Sequence, residues 1–488
     1  MPKIVILWTD AAMWLLMIAL VAYAAWVLRS PARSGNWRRV FQSPSALASS
    51  VVLALCLGVT LLDSVHYRPL LPPAPGTAVG AGPQYDTRTM SLLDALMADL
   101  VAARETTDSR PLAYLGFTKE TAESADGTVT RTAPRLQFGG SHLKDPQADW
   151  AGDVLGRAFI GLLGGLLVAA LLSALAVAAV ARTRRASWRE AALQVLHGEG
   201  AIPWRAALAV LWVLGAVAGP ATALSGPYHL MGTDLTGNDV LYQALKSIRT
   251  AFVIGTLATI ATLPLAVVLG IVAGYFKGWV DELVQYVYTV LSSVPNVLLI
   301  AACVLMVQVY LDKNPELFET GTERADVKLF LLCAVLGLTG WAGLCRLLRA
   351  ETLKLRELEY VQAAHAFGVG HGRTMLRHIF PNVAHLMLIV TVLEFSALIL
   401  YEAVLSYVGV GVDPSMNSFG GMINYARVEM SRDPVVWWSF AAAFGFMVTL
   451  VLAANLFADG VRDAFDPRSR SFRPRLSRRK PAQPTLSA

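Results

Sequence analysis

Three stretches of this chain contain no Asp, Glu, Lys or Arg: residues 158–180, 251–276 and 283–311. A helix needs about 20 residues, at roughly 1.5 Å each, to cross the hydrocarbon core of a bilayer. Each run is long enough. A buried helix of a water-soluble protein would keep a polar face, and these keep none. Composition agrees: 55% of the 488 residues are hydrophobic and 16% are charged, against about 25% charged in a typical soluble domain. The expected fold class is an all-α polytopic membrane protein with about nine transmembrane helices. They are placed near 8–28, 46–66, 156–181, 205–224, 251–275, 283–311, 328–348, 384–408 and 435–458.

The first of these has Asp10 near its start, so a secretory signal peptide is its rival. Yet Arg29, Arg33, Arg38 and Arg39 follow the apolar run rather than precede it, which suits an anchor. Short basic loops orient the rest. Residues 182–205 carry Arg182, Arg184, Arg185, Arg189 and Arg205, and the tail from Arg468 has seven basic residues and no acid. These face the cytoplasm, while the acid-rich stretches 67–153 and 311–328 face outward. The N-terminus is then expected outside and the C-terminus in the cytoplasm. The same pattern explains the net charge of +6 and removes the case for nucleic-acid binding. Cys56, Cys303, Cys333 and Cys345 all lie in apolar runs, so neither a disulfide framework nor a metal spacing is expected.

The stretch 67–153 is too long for a plain loop. It begins with a linker-like Pro72-Pro73-Ala-Pro75-Gly76 and forms an external cap. Met90, Leu93, Leu96, Met97 and Leu100 recur at helical spacing. They predict an amphipathic helix over 89–104, lying on the membrane or a partner, or packed within the cap. Pro264 and Pro295 are expected to kink their spans. Gly270 and Gly274 permit a close helix contact.

No phosphate-binding loop, His-Glu-x-x-His or Gly-x-Ser-x-Gly motif is present, and Gly368, Gly370 and Gly372 miss the dinucleotide spacing. Catalysis by this chain alone is not expected. The informative segment is 359–382, between two spans on the cytoplasmic side. Residues 350–366 should form a helix, broken at Gly368 and Gly370 by left-handed backbone. A second short helix follows, and Pro381 opens the next span, where its missing N–H is harmless. Ala363 and Ala364 make a flat ledge. The result is a rigid helix–turn–helix knob.

Gln362-Ala363-Ala364, then Gly368, then nine residues, then His378-Ile379-Phe380-Pro381 resembles the coupling loop of ABC importer permeases, with Gln, His and Phe departing from the usual Glu, Ile and Leu. Gly232-Thr233-Asp234, Gly237-Asn238-Asp239 and Val240-Leu241 resemble the signature of the dipeptide/oligopeptide branch, with Asn238 replacing the usual Arg. Gly278-Trp279-Val280-Asp281, Glu402-Ala403-x-Leu405-Ser406-Tyr407-x-Gly409 and Val461-Arg462-Asp463-Ala464-Phe465-Asp466-Pro467 follow in the family's order.

The resemblance covers about 205–468 and implies that the last six spans form an ABC importer permease core with its coupling loop at 359–381. The other divisions are two helices in 1–66, the cap in 67–153, an extra helix and basic loop in 154–204, and the tail 469–488. The resemblance also implies a heterodimer with a second permease subunit, two ABC ATPase subunits and an external substrate-binding protein. ATP and Mg would sit on the ATPases, with no cofactor and no metal on this chain. Gln362, Ala363, Ala364, Gly368, Gly370, Arg373 and Pro381 are the candidate ATPase-coupling residues, and Gly232, Thr233, Asp234, Gly237 and Asp239 the outer signature.

Glu394 and Glu402 share one span, where a carboxylate is costly and should meet water or a partner. Either one contacts a peptide amine in the pathway, or makes a structural hydrogen bond. The expected function is import of di- or oligopeptides. A secondary transporter or a membrane scaffold would leave the knob or the ordered motifs unexplained. Every matched motif lies after residue 204, so the first 204 residues are expected to be separable from coupling.

Overall fold

The computed structural model describes residues 2–71, 84–123, 129–198 and 200–466. The proline-rich linker at 72–76 and the basic tail 469–488 lie outside the described residues. The chain opens with strand β1 (Lys3–Val5) and helices α1 (Trp8–Leu28), α2 (Pro31–Val40) and α3 (Pro44–Asp63). Strands β2 (His66–Arg68) and β3 (Met90–Ser91) complete a three-stranded antiparallel sheet with β1, in register Lys3↔Arg68 and His66↔Ser91. This pairing puts the N-terminus on the same face as the cap. The cap continues with α4 (Leu92–Leu96), α5 (Ala98–Ala102) and the hairpin β4 (Glu120–Glu123)–β5 (Val129–Thr132).

Next come α6 (Pro146–Arg184), α7 (Trp188–His197), α8 (Trp204–Ser225) and α9 (Val240–Phe276), the last running through Pro264 without a break. They are followed by α10 (Gly278–Ser293), α11 (Asn296–Lys313), α12 (Gly321–Gly340), α13 (Ala342–Arg356), α14 (Glu359–Ala366), α15 (His371–Thr374), α16 (Phe380–Tyr407), α17 (Phe419–Glu429) and α18 (Trp438–Phe465). Among the described residues eight helices are long and apolar enough to cross a membrane, or nine if α12 and α13, bent by 41°, make one span.

Four expectations change in detail. Residues 283–311 are not one helix. Pro295 lacks an N–H and holds Val294 extended (ψ 134°), which ends α10 and starts α11 anew. The span at 328–348 bends at Trp341, between α12 and α13. The helix expected over 350–366 breaks at Glu357 and Leu358. The helix expected over 89–104 divides at Met97, and its Leu93 and Leu100 are buried. Here the packed-cap alternative describes the geometry.

Helix α9 is the axis of the bundle. It packs against α12, α13, α16, α18 and α3. Val253, Ile254 and Ala258 are fully buried among Leu329, Leu332, Leu336 and Leu398. Toward the opposite end, Gly270 and Gly274 let α9 approach α13, where a Cβ would come within 2.9 Å of the Cys345 carbonyl and 2.7 Å of the Arg349 carbonyl. Helices α6 and α8 meet in the same manner. Gly161 and Gly165 face Gly215 and Gly219 so closely that any Cβ would overlap the opposing backbone.

The N-terminal helices are not an appendage. Helix α3 packs between α8 and the α9–α18 pair. Val40 and Ala46 cover Val461 and Ala464 of the last motif. Asp10 is 2% exposed and pairs with Arg249 of α9 at 2.6 Å and with His66 at 2.7 Å. Asp326 of α12 lies 3.7 Å from the same guanidinium and accepts hydrogen bonds from the Thr9 N–H and hydroxyl. Next to this cluster, Lys246 bridges Asp63 at 3.3 Å and Asp94 at 2.8 Å. Truncation at residue 204 would remove Asp10, Asp63, Asp94 and His66 from these buried cations, which argues against the expected separability.

Arg249→Met should therefore destabilise the fold by about 3 kcal/mol or more, because it leaves buried carboxylates unpaired. Adding Asp10→Asn and Asp326→Asn should recover most of that loss. Thermal unfolding of the detergent-purified chain measures both; an unaltered Arg249→Met midpoint contradicts the cluster's role.

Candidate functional site

The signature loop before α9 is shaped by two left-handed glycines, Gly232 (φ 73°) and Gly237 (φ 77°). Gly237 lies directly against the Glu105 backbone, where a Cβ has no room. Thr233 donates its N–H to the Ser109 carbonyl (3.2 Å) and its hydroxyl to the Thr107 carbonyl (3.0 Å). Its own carbonyl accepts the Trp438 indole N–H at 2.9 Å. Asp234 accepts the N–H groups of Thr236 and Asn238, both at 2.9 Å, and the Gln243 amide at 2.6 Å. Asp239 caps α9 by accepting the Tyr242 N–H at 3.0 Å. Asn238, standing where the family pattern has Arg, hydrogen-bonds Thr236 at 2.7 Å.

The cap holds this loop through one buried charge cluster. His229 donates through Nδ1 to the Asp239 carboxylate at 2.9 Å, and its Nε2 is 3.4 Å from Glu105, an ion-pair distance without hydrogen-bond alignment. The Glu105 carboxylate also accepts the N–H groups of Gln137, Phe138 and Gly139 at 2.8–3.0 Å. Burial works against the His229 cation, but Asp239 and Glu105 outweigh it and lift its pKa to about 9. Burial alone would raise Glu105; His229 and the three backbone donors bring it down to about 2. Sequence reasoning missed both residues. Glu105 lies 134 residues before Asp239, and no local pattern joins them.

The Glu402–Gly409 motif is a corner. Ser406 donates to Glu402 at 2.6 Å, and its oxygen accepts the Val412 N–H at 3.2 Å. Gly420 packs on Ala403 and Ser406. Glu402 is 1% exposed at this corner. Glu394 is exposed on the same helix and has no polar partner among the described residues.

On the opposite face, α14 and α15 project as a knob. Gly368 is left-handed (φ 77°), whereas Gly370 is extended (φ −61°, ψ 148°) and precedes α15. Only Gly368 thus matches the expected left-handed break. A π-helical turn at Met375–Ile379 leads into α16, with Pro381 in its first turn. The knob is bolted down at its base. The Tyr275 hydroxyl is 2.9 Å from His371 Nδ1, Arg356 donates to the Tyr275 carbonyl at 2.5 Å, and Lys277 pairs with Glu357 at 2.6 Å. Arg349 clasps Asp281 of the Gly-Trp-Val-Asp motif with bonds of 2.5 and 2.6 Å. Gln362 donates to the Glu357 carbonyl at 3.1 Å; Ala363 and Arg373 are exposed and Ala364 half-buried. Phe367 at the tip is 88% exposed and Leu376 is 72% exposed. Sequence reasoning passed over both, although an aromatic immediately before the turn glycine was the available signal.

The cap clasp sets a pH window. The raised His229 pKa contributes stability that is complete below about 6.5 and lost as pH rises through about 9. The depressed Glu105 pKa contributes stability that is complete above about 4.5 and lost as pH falls through about 2. Unfolding of the cap, followed by hydrogen exchange at residues 105–140, should be slowest between these limits. His229→Gln should flatten the alkaline limb, and an unchanged alkaline limb in that variant would remove His229 as its cause.

Comparison with known proteins accords with this arrangement. The family described as binding-protein-dependent transport system inner membrane component matches residues 266–471. The oligopeptide transport system permease protein OppC of Mycobacterium tuberculosis (strain ATCC 25618 / H37Rv) is 32% identical over 248 residues, covering 51% of this chain and 79% of that protein. OppC of Haemophilus influenzae is 31% identical over 243 residues, 50% of this chain and 71% of its own length. The dipeptide transport system permease protein DppC of Alkalihalophilus pseudofirmus is 29% identical over 254 residues, 52% and 77% of the two chains. With its knob, signature loop and apolar bundle in the family's order, the chain belongs to the inner-membrane permease components of binding-protein-dependent ABC importers, in the peptide branch.

Proposed function

We propose that this chain is one half of a translocation pathway that imports di- or oligopeptides, driven by ATP hydrolysed on separate subunits. The knob is the observation that carries this reading. It leaves Phe367 and Leu376, two large apolar side chains, exposed on the projecting helices. Exposed aromatic anchors on a rigid element suit a docking surface. The base of the knob is tied to the ends of α9, α10 and α13, so force applied at Phe367 reaches the bundle axis directly. Two ATPase subunits, carrying ATP and Mg, would grip this knob and that of a second permease subunit. An external binding protein would deliver peptide on the cap side. Glu394, exposed on α16, would face the second permease or the pathway between the two. The cap, with the N-terminus, would lie outside the bacterial inner membrane, and the knob in the cytoplasm.

Phe367→Asp and Ala363→Asp place a charge in the docking surface, and Gly368→Val strains the left-handed turn by about 1–2 kcal/mol. All three should insert and pair with the second permease, yet lose co-purification of the ATPases and solute-stimulated ATP hydrolysis in proteoliposomes. Wild-type coupling in all three would overturn the assignment of the knob. Orientation is read by labelling. A cysteine placed at the exposed Thr87 should react with an impermeant reagent from outside, and one at the exposed Ser187 should not. Reaction of both from one side would exclude the arrangement.

A further inference from the structure

A cavity of about 540 Å³ opens on the cap side between the signature loop, the corner after α16 and helix α17. Its size falls within the range usual for small-molecule sites, about 300–1,000 Å³. Its charges do not balance. Lys328 turns to Asp413 at 3.6 Å, and Arg432 to Asp108 at 3.2 Å. Two lining carboxylates, Asp234 and Glu429, form no ion pair among the described residues. Asp234 is held only by neutral donors, the N–H groups of Thr236 and Asn238, the Thr236 hydroxyl and the Gln243 amide. Glu429 is 3% exposed. Its Oε1 accepts the Leu235 N–H at 3.0 Å, while its Oε2 is buried with no hydrogen-bond donor.

A buried carboxylate oxygen without a donor is an unfavourable arrangement that a ligand can relieve. Burial raises the Glu429 pKa above the ordinary carboxylate range; the Leu235 N–H draws it back, Asp234 and Asp108 push it up, and Arg432 opposes them. The two neighbouring carboxylates favour adding positive charge at this spot. An ammonium group brings three donors and one unit charge in a compact head, which suits one free carboxylate oxygen with a second carboxylate on the same wall. Asn417 and Asn424 also line the cavity and offer amide groups to a polar chain beyond the ammonium.

We propose that this cavity binds a primary ammonium group, with Glu429 as its principal partner and Asp234 beside it, and that the group is the protonated amino terminus of the arriving solute. The proposal rests on the reading of the chain as a peptide permease. It makes the cavity a station where the solute is held before it enters the bundle.

The test uses the full chain with its second permease subunit in lipid nanodiscs. Binding of trialanine and of N-acetyl-trialanine, which lacks the charge, is measured by calorimetry. Wild type should prefer trialanine about tenfold, the worth of one charge-assisted hydrogen bond. Glu429→Gln should reduce that preference to within about twofold, and Glu429→Asp should retain part of it. The ligand pair tests the wild-type site with no dependence on how a variant folds. Equal binding of the two ligands by wild type overturns the proposal, and so does an undiminished preference in a folded Glu429→Gln. If the ATPases still couple through the knob while the amine preference fails, the cavity assignment falls and the permease reading stands. If the ATPases do not associate at all, both fall.

Discussion

Arg249 is a cation almost wholly removed from water, 3% exposed, inside the axial helix of the bundle. A lone guanidinium there would be prohibitively costly, so its neighbours are constrained to supply negative charge. They come from two separated parts of the chain, Asp10 from α1 and Asp326 from α12, and the Thr9 hydroxyl links them by donating to Asp326 and accepting from Arg249 at 2.9 Å. Once this cluster closes, the N-terminal helix is fixed to the bundle. His66, on the Asp10 carboxylate, then fixes the sheet that joins the N-terminus to the cap. The placement of the cap follows from that buried charge.

Each face of the bundle is organised by its own polar fastening. On the cap side, Glu105 and His229 hold the signature loop in a shape that two left-handed glycines permit. Trp438 ties the same loop to the start of α18. On the knob side, His371 and Arg356 hold Tyr275 at the end of α9, and Arg349 ties α13 to α10 through Asp281. Between Arg249 and Tyr275, α9 is packed mostly by apolar side chains.

The fold class and most spans were legible because the membrane imposes a strong, local demand: long runs without charge. Gly368 and the Gly270–Gly274 contact were legible for similar reasons, since a turn or a close helix approach needs glycine at a particular place. Details of continuity were less so. The 283–311 run has uniform hydropathy, yet Pro295 ends a helix there. The knob's register was readable from spacing, but the exposure of Phe367 was not, because exposure is a property of what fails to pack against a side chain. Asp10 looked like a flaw in the first span. Its partners lie 56 residues away at His66 and 239 away at Arg249, so only folding shows it to be a structural requirement.

The sequence by itself determined that this chain lives in a bilayer and that it carries the ordered motifs of an importer permease. These follow from local hydropathy and fixed spacing, which act within a span or a turn. The tertiary structure alone decided that α1 and α3 pack into the helix bundle, that Glu402 is buried beside Ser406, and that Glu429 lines a cavity with an unmatched oxygen. Those outcomes depend on which distant groups share a small buried volume, and the cost of an unpaired charge there is set by the complete set of neighbours.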